Sequence, residues 1–240
     1  MKNRLLTSMG GVAMCAALAS CGGGGSGGAD STSGSTSTLT FTPSSIQLVQ
    51  TQGFEEEIQV RATISPEPTG TQFYAVLAAD KPVVQTGQVH LVANADDSAS
   101  VTLRTDPALA AGLHEGQLTL HICRDAQCQD EVSLKGNVLP YSIKVLPRVQ
   151  IVATGVVSSN YLGSPNNYLV DPGTTVVLTS NIPVTWSKGS SMSGADLAVV
   201  SSTPTRWEGQ ILGRSNQFVG VLAAAIDKPN NAGQALFNIR

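Results

Sequence analysis

The 240-residue chain carries 14 Lys and Arg against 17 Asp and Glu, a net charge of −3, with 41% hydrophobic and only 13% charged residues. So few charges, with Gly, Ser, Thr, Asn and Gln filling much of the remainder, exclude a helix-rich protein, which needs more Glu, Lys and Leu. An acidic balance does not attract phosphate backbones, which sets nucleic acid aside as a partner, and the length suits two sandwich modules of about 100 residues rather than one.

Lys2 and Arg4 open the chain with positive charge, and residues 5–18 follow as an apolar stretch. The stretch is shorter than the roughly 20 residues of a membrane-spanning helix and reads as the core of a signal peptide. Next comes Leu18-Ala19-Ser20-Cys21-Gly22, which resembles the lipobox of bacterial lipoproteins, where small residues admit the signal peptidase and the cysteine thiol receives a diacylglycerol. The resemblance implies removal of residues 1–20, lipidation of Cys21 and a lipid-anchored place in the cell envelope. Gly22 rather than Asp after the cysteine resembles the pattern sorted to the outer membrane in Gram-negative cells. Loss of Lys2 and Arg4 leaves 12 of the 14 basic side chains against 17 acidic ones, a net −5. Anionic headgroups do not hold such a chain, so the acyl chains must, at about 0.8 kcal/mol per buried methylene. Within 21–38, residues 22–38 are Gly, Ser and Thr with one Ala and one Asp. That composition buries nothing and predicts a flexible tether with a reach of roughly 20 to 25 Å.

After the tether the hydrophobic period is two, with Gly, Pro, Asn and Asp between short runs. Strands are predicted over 39–42, 46–49, 57–64, 73–78, 89–93, 100–104, 117–123 and 141–146. Ile58, Val60, Ala62 and Ile64 alternate with Gln59, Arg61 and Thr63, and Leu118, Leu120 and Ile122 with Thr119 and His121. Pro147 marks the boundary between a first module, 39–147, and a second, 148–240. In the second, strands are predicted over 149–157, 174–180, 184–187, 198–201, 207–212, 217–224 and 235–239, with turns at Asp171-Pro172-Gly173 and Asn230-Asn231-Ala232-Gly233. A helix over 219–225 is disfavoured by Gly220 and the β-branched Val219 and Val221. The expected fold is all-β, two tandem immunoglobulin-like antiparallel β-sandwiches behind a signal peptide and a Gly/Ser/Thr tether.

Cys15 lies within the signal peptide and Cys21 takes the lipid, which leaves Cys123 and Cys128 as the two thiols of the folded part. In an oxidising compartment they are expected to form one disulfide, with a contribution on the order of 2 kcal/mol for so small a loop. His121 with the two cysteines would make three metal ligands, but zinc sites draw on two closely spaced pairs and the second pair is missing. Four residues between the cysteines also depart from the Cys-x-x-Cys of thiol oxidoreductases.

The stretch from Ala111-Gly112-Leu113-His114-Glu115-Gly116 through Leu118-Thr119-Leu120-His121-Ile122-Cys123, followed by Tyr141-Ser142-Ile143-Lys144-Val145, resembles the last two strands of bacterial immunoglobulin-like domains. His114 stands where those families often carry an aromatic. Leu178-Thr179-Ser180-Asn181-Ile182-Pro183-Val184-Thr185-Trp186-Ser187 looks like part of BACON-type bacterial sandwich domains, a resemblance that implies carbohydrate or surface binding.

Three histidines, His90, His114 and His121, are the candidate general bases, and a strand-facing-solvent role suits them better. Gly-x-Ser-x-Gly, Ser-x-x-Lys, His-Glu-x-x-His and phosphate-loop motifs are missing, so no enzyme activity, metal or cofactor is expected. Carboxylates cluster at Glu55-Glu56-Glu57, Asp96-Asp97, Asp125 and Asp130-Glu131 without the spacing of a calcium loop. Trp186 is expected in the core. Trp207, Tyr161 and Tyr168, the tyrosines flanking the Asn-rich loop Gly163-Ser164-Pro165-Asn166-Asn167, are the candidate ligand-binding aromatics, able to stack on a sugar if exposed. The leading expectation is a non-enzymatic envelope lipoprotein that displays its sandwiches for an envelope protein or as a spacer; the alternative is a glycan-binding accessory module.

Overall fold

The computed structural model describes residues 36–68, 73–84, 91–96 and 98–240. Residues 1–35, with Cys21 and most of the expected tether, lie outside the described residues, as do His90 and Asp97. The described residues form strands, with a single 3-10 turn at Tyr161–Gly163. They fall into two compact units: the second holds Val49–Gly53, Ala110–Gly112 and Val145–Arg240, and the first holds the rest.

The first sandwich contains β1 (Ser37–Thr42), β2 (Ile46–Thr51), β3 (Glu57–Ser65), β4 (Tyr74–Ala79), β5 (Leu91–Ala93), β6 (Ala99–Arg104), β7 (Gly112–Cys123), β8 (Leu134–Lys135) and β9 (Val138–Leu146). One sheet runs β5-β6-β3-β1-β8 and the other β2-β9-β7-β4. Period-two alternation decides which side chains lie between them. Ile58, Val60 and Ala62 of β3 are buried while Glu57, Gln59, Arg61 and Thr63 are exposed, and Leu118, Leu120 and Ile122 of β7 are buried opposite them. Each such aliphatic side chain contributes roughly 1.5–3 kcal/mol on full burial. The expected tether is shortened at its end, because Ser37 and Thr38 already belong to β1, pairing in parallel with Leu134 and Lys135. That parallel pair also qualifies the expectation of a purely antiparallel sandwich.

Two polar devices hold this unit at its ends. Cys123 and Cys128 are joined by a disulfide, with Cα atoms 5.0 Å apart. Inside its loop the Asp125 carboxylate accepts the backbone N–H groups of Gln127 (2.9 Å), Gln129 (2.9 Å) and Asp130 (2.6 Å). Those bonds hold its carboxyl below the usual carboxylate range. At another place the Tyr141 hydroxyl of β9 donates to Asp80 Oδ1 at 2.7 Å. Gly116 makes the approach possible, since a Cβ there would collide with both groups.

Burial and the neighbouring Asp80 carboxylate push the Tyr141 hydroxyl up to about 12, and the same bond lowers Asp80. A tyrosine whose folded value lies above its unfolded value of about 10 adds stability that is complete below about pH 10 and lost as pH rises through about 12. Asp80, lowered, works at the other limb: its contribution is present above about pH 4 and lost as pH falls through the folded value. Tyr141→Phe is therefore expected to flatten the alkaline limb of melting temperature against pH. An alkaline limb as steep as the parent's would show that Tyr141 does not carry it.

The second sandwich contains β10 (Ile151–Thr154), β11 (Ser158–Ser159), β12 (Asn167–Val170), β13 (Thr175–Ser180), β14 (Val184–Ser191), β15 (Asp196–Thr203), β16 (Arg206–Leu212), β17 (Gln217–Ala225) and β18 (Lys228–Ile239). Its sheets are β10-β13-β16-β15 and β11-β12-β18-β17-β14. Leaving β8 and β11 aside, the strand order repeats that of the first sandwich. In each, the first strand pairs with one sheet, the chain crosses, and the next segment lies beside the last strand of the other sheet. The core joins Val176, Leu178, Trp207 and Ile211 of one sheet to Val170, Val219, Val221, Phe237 and Ile239 of the other.

Two expectations are corrected here. Residues 230–233 are not a turn: β18 runs through them, and the hairpin turns instead at Ile226 and Asp227, between Ala225 and Lys228. Asn231 is buried because its side chain accepts Val149 N–H at 3.0 Å and donates to Pro147 O at 2.8 Å, satisfying its amide without a turn. The Asn-rich loop also ends sooner than expected. Asn167 starts β12, which pairs in parallel with β18 and sets Tyr168 beside Phe237.

Candidate functional site

A groove lies in the second sandwich, where its two sheets end side by side. β14 is the last strand of one sheet and β15 the last of the other. Between them is a cavity of about 190 Å³ lined by Trp186, Ser187, Lys188, Leu197, Val199, Ser202 and Trp207. Trp207 on β16 forms the buried floor, and Trp186 on β14 is half-buried and forms a wall. The Trp186 Nε1–H donates to Thr203 O at 2.9 Å, which fixes the indole against the hairpin joining β15 to β16. Gly209, across from Val199, leaves room for the Trp207 ring; a Cβ there would meet Cζ2 at 2.6 Å and Ala198 O at 3.0 Å.

Charge at this groove is already neutralised. Lys188 Nζ donates to Asp196 Oδ1 at 2.8 Å, and this partner holds the Asp196 carboxyl below the usual range. Along β15 the run Leu197 to Thr203 has no charged side chain, and Val199 and Val200 are 60% and 64% exposed. The register with β16 shifts between Val199 and Ser201, a bulge at Val200. Chemically the groove can receive apolar side chains and its edge can pair with backbone; its lining holds one ionisable group, Lys188, and that is tied to Asp196.

The aromatic residues singled out in the sequence are redistributed. Trp207 and Tyr168 are corrected as exposed ligand platforms: they are 3% and 5% exposed, Trp207 inside the core and Tyr168 stacked on Phe237 with centroids 5.5 Å apart. The reason is pairing that local sequence does not reveal: Trp207 takes an inward position of β16, and β12 joins the sheet through β18. Tyr161 is half-buried on the 3-10 turn, and neither tyrosine lines the groove. Trp186, expected in the core, packs against it but is only half-buried, and it lines the groove beside Trp207. The signal for it lies in Ser187-Lys188-Gly189-Ser190-Ser191, which supplies no apolar alternation to keep the end of β14 inside.

The remaining candidates do not converge. His121 Nδ1 lies 2.7 Å from Glu131 Oε1 on the outer face of β7, beside Val76 of β4. His114 is half-buried near the start of the same strand. Glu55 and Glu57 both pair with Arg104, Asp96 pairs with Arg61 and Ser98, and Asp130 pairs with Arg124. These carboxylates are held, among the described residues, by neighbouring cations or hydroxyls, and Asp125 by backbone N–H groups. Among the described residues no group of three His, Cys, Asp or Glu side chains is placed to hold a metal ion.

No protein-family model matches the chain, and no curated protein does. Among solved structures it is similar to the adhesin InvE of Yersinia pseudotuberculosis, at 13% identity and a TM-score of 0.28 over 84% of this chain and 58% of that one. It is similar to Rst D1-D2 at 9% identity and a TM-score of 0.33, over 84% and 99% of the two chains. Cadherin domains 1–4 of protocadherin gamma B7 align at 14% identity and a TM-score of 0.33, over 85% of this chain and 51% of that one. The chain therefore spans little more than half the length of the adhesin. The architecture described above rests on the strand order of the chain itself.

Proposed function

We propose that this protein is a lipid-anchored envelope lipoprotein that presents two immunoglobulin-like sandwiches as a non-enzymatic binding or spacer module. What carries the reading is the lipobox-like Leu18-Ala19-Ser20-Cys21 directly after the apolar stretch 5–18. The tether composition supports it, and so does a groove that offers apolar surface and a strand edge rather than an acid–base pair. Gly22 favours the outer membrane in a Gram-negative cell. A glycan reading loses Trp207 and Tyr168 as stacking platforms and keeps the half-buried Tyr161, with Trp186 at the groove as the other candidate.

The test is metabolic labelling of the full chain with a palmitate analogue in a bacterial host, read beside precursor processing. The parent is expected to take up label and shift to a lighter form. Cys21→Ser is expected to lose the label by more than tenfold and to remain as precursor. Label retained by Cys21→Ser, or a parent that takes up none, would overturn the proposal.

A further inference from the structure

β15 is the longer of the two edge strands of its sheet, eight residues against four in β10. Its outer edge has no strand beside it among the described residues. Sheets protect such edges with Lys, Pro or bulges, because the unpaired N–H and C=O groups otherwise template another strand. Here Leu197-Ala198-Val199-Val200-Ser201-Ser202-Thr203 carries neither Lys nor Pro, and its one guard is the bulge at Val200. Beside it the groove exposes Val199 and the wall of Trp186.

We propose that β15 pairs antiparallel with β15 of a second copy of this chain, about a two-fold axis at Ala198. The strand suits itself for a reason of charge. With the axis at Ala198, Asp196 falls opposite Val200 of the second copy, and Leu197 opposite its Val199, so no like charges meet. Asp196 is already satisfied by Lys188, and the groove has no net charge that would select an acidic or basic partner. A neutral, β-branched strand is the partner that such an edge takes, and this chain supplies one. Pairing over Asp196 to Val200, up to and including the bulge residue, joins the two four-stranded sheets into one and lays the apolar side chains of each β15 over the other copy's groove, the logic of strand addition. One eight-residue strand a side is less than the roughly 20–30 residues a side of a standard complex, so this association belongs to the transient class and is best read by crosslinking.

The experiment is oxidative crosslinking in cells expressing the full chain. In an antiparallel pair the residue on the axis faces itself at about 4.5–5.5 Å between Cα atoms, within disulfide range. Ala198→Cys is therefore expected to give a covalent dimer on non-reducing gels. The unsubstituted chain and Val152→Cys, on β10 at the opposite edge of the same sheet, are expected to give at least tenfold less. Adding Val199→Lys, at a side chain already 60% exposed, is expected to cut the Ala198→Cys dimer tenfold while the circular dichroism stays unchanged. No dimer at Ala198→Cys, equal dimer at Val152→Cys, or an adduct whose mass is not twice the chain's would overturn the pairing.

Discussion

Trp207→Ala is expected to destabilise the second sandwich by about 3–5 kcal/mol, the range for removing a buried aromatic and leaving part of its volume empty. The residue is 3% exposed and lies in the same core as Leu178, Ile211 and Phe237, so little can move into the space. Domains are stable by only about 5–15 kcal/mol, and the variant should unfold at markedly lower denaturant concentration. Trp186 remains as a fluorescent reporter of that transition. Trp186→Ala, from a half-buried wall, should cost about 1–2 kcal/mol, because only part of its area leaves water. Urea titrations of both variants make the comparison. If Trp186→Ala proved the more damaging, the assignment of floor and wall would be reversed.

Gly209→Val is expected to cost about 1–3 kcal/mol by overpacking, against the preference of strands for valine over glycine. The sign is the informative part. Propensity alone makes this a stabilising change in the middle of β16, whereas the ring of Trp207 and Ala198 O occupy the space a side chain would need. In a Trp207→Ala background the ring is gone, so the cost of the valine should shrink or reverse. A double-mutant cycle by denaturant unfolding should return a coupling of about 1–3 kcal/mol, typical of residues in contact. Additive effects would mean that the two positions do not touch.

Both variants act at the groove, and the groove was only partly legible in the sequence. β15 and β16 were each found within a few residues, because Leu197-Ala198-Val199-Val200 and Trp207 to Leu212 are short apolar or alternating runs. Which tryptophan faces inward was not legible. An aromatic in a third strand usually packs between sheets, and Trp186 does pack against the core, but β14 ends its sheet, so one side of the ring stays open to the groove. Tyr168 flanks an Asn-rich loop in the sequence, and nothing local places it in a strand. The loop ends where β18, nearly seventy positions along the chain, offers Phe237 and a parallel ladder. Asn231 was read as a turn residue for the same reason: asparagine favours turns locally, and only Pro147 and Val149 reveal that its amide is committed elsewhere.

The sequence by itself determined that the described chain is built of strands, and which residues of β3 and β7 face inward, since period-two alternation is a local property that survives in any sandwich. It also pointed to the Cys123–Cys128 pairing, because these are the two thiols left once Cys15 is assigned to the signal peptide and Cys21 to the lipid. The tertiary structure decided which strands became edges, which tryptophan became floor and which wall, and that Gly116 and Gly209 stand where side chains would strike Tyr141 and Trp207. Those outcomes depend on what strand lies opposite. That partner comes from far along the chain, through pairings whose free energy is gained only when both sheets are in place.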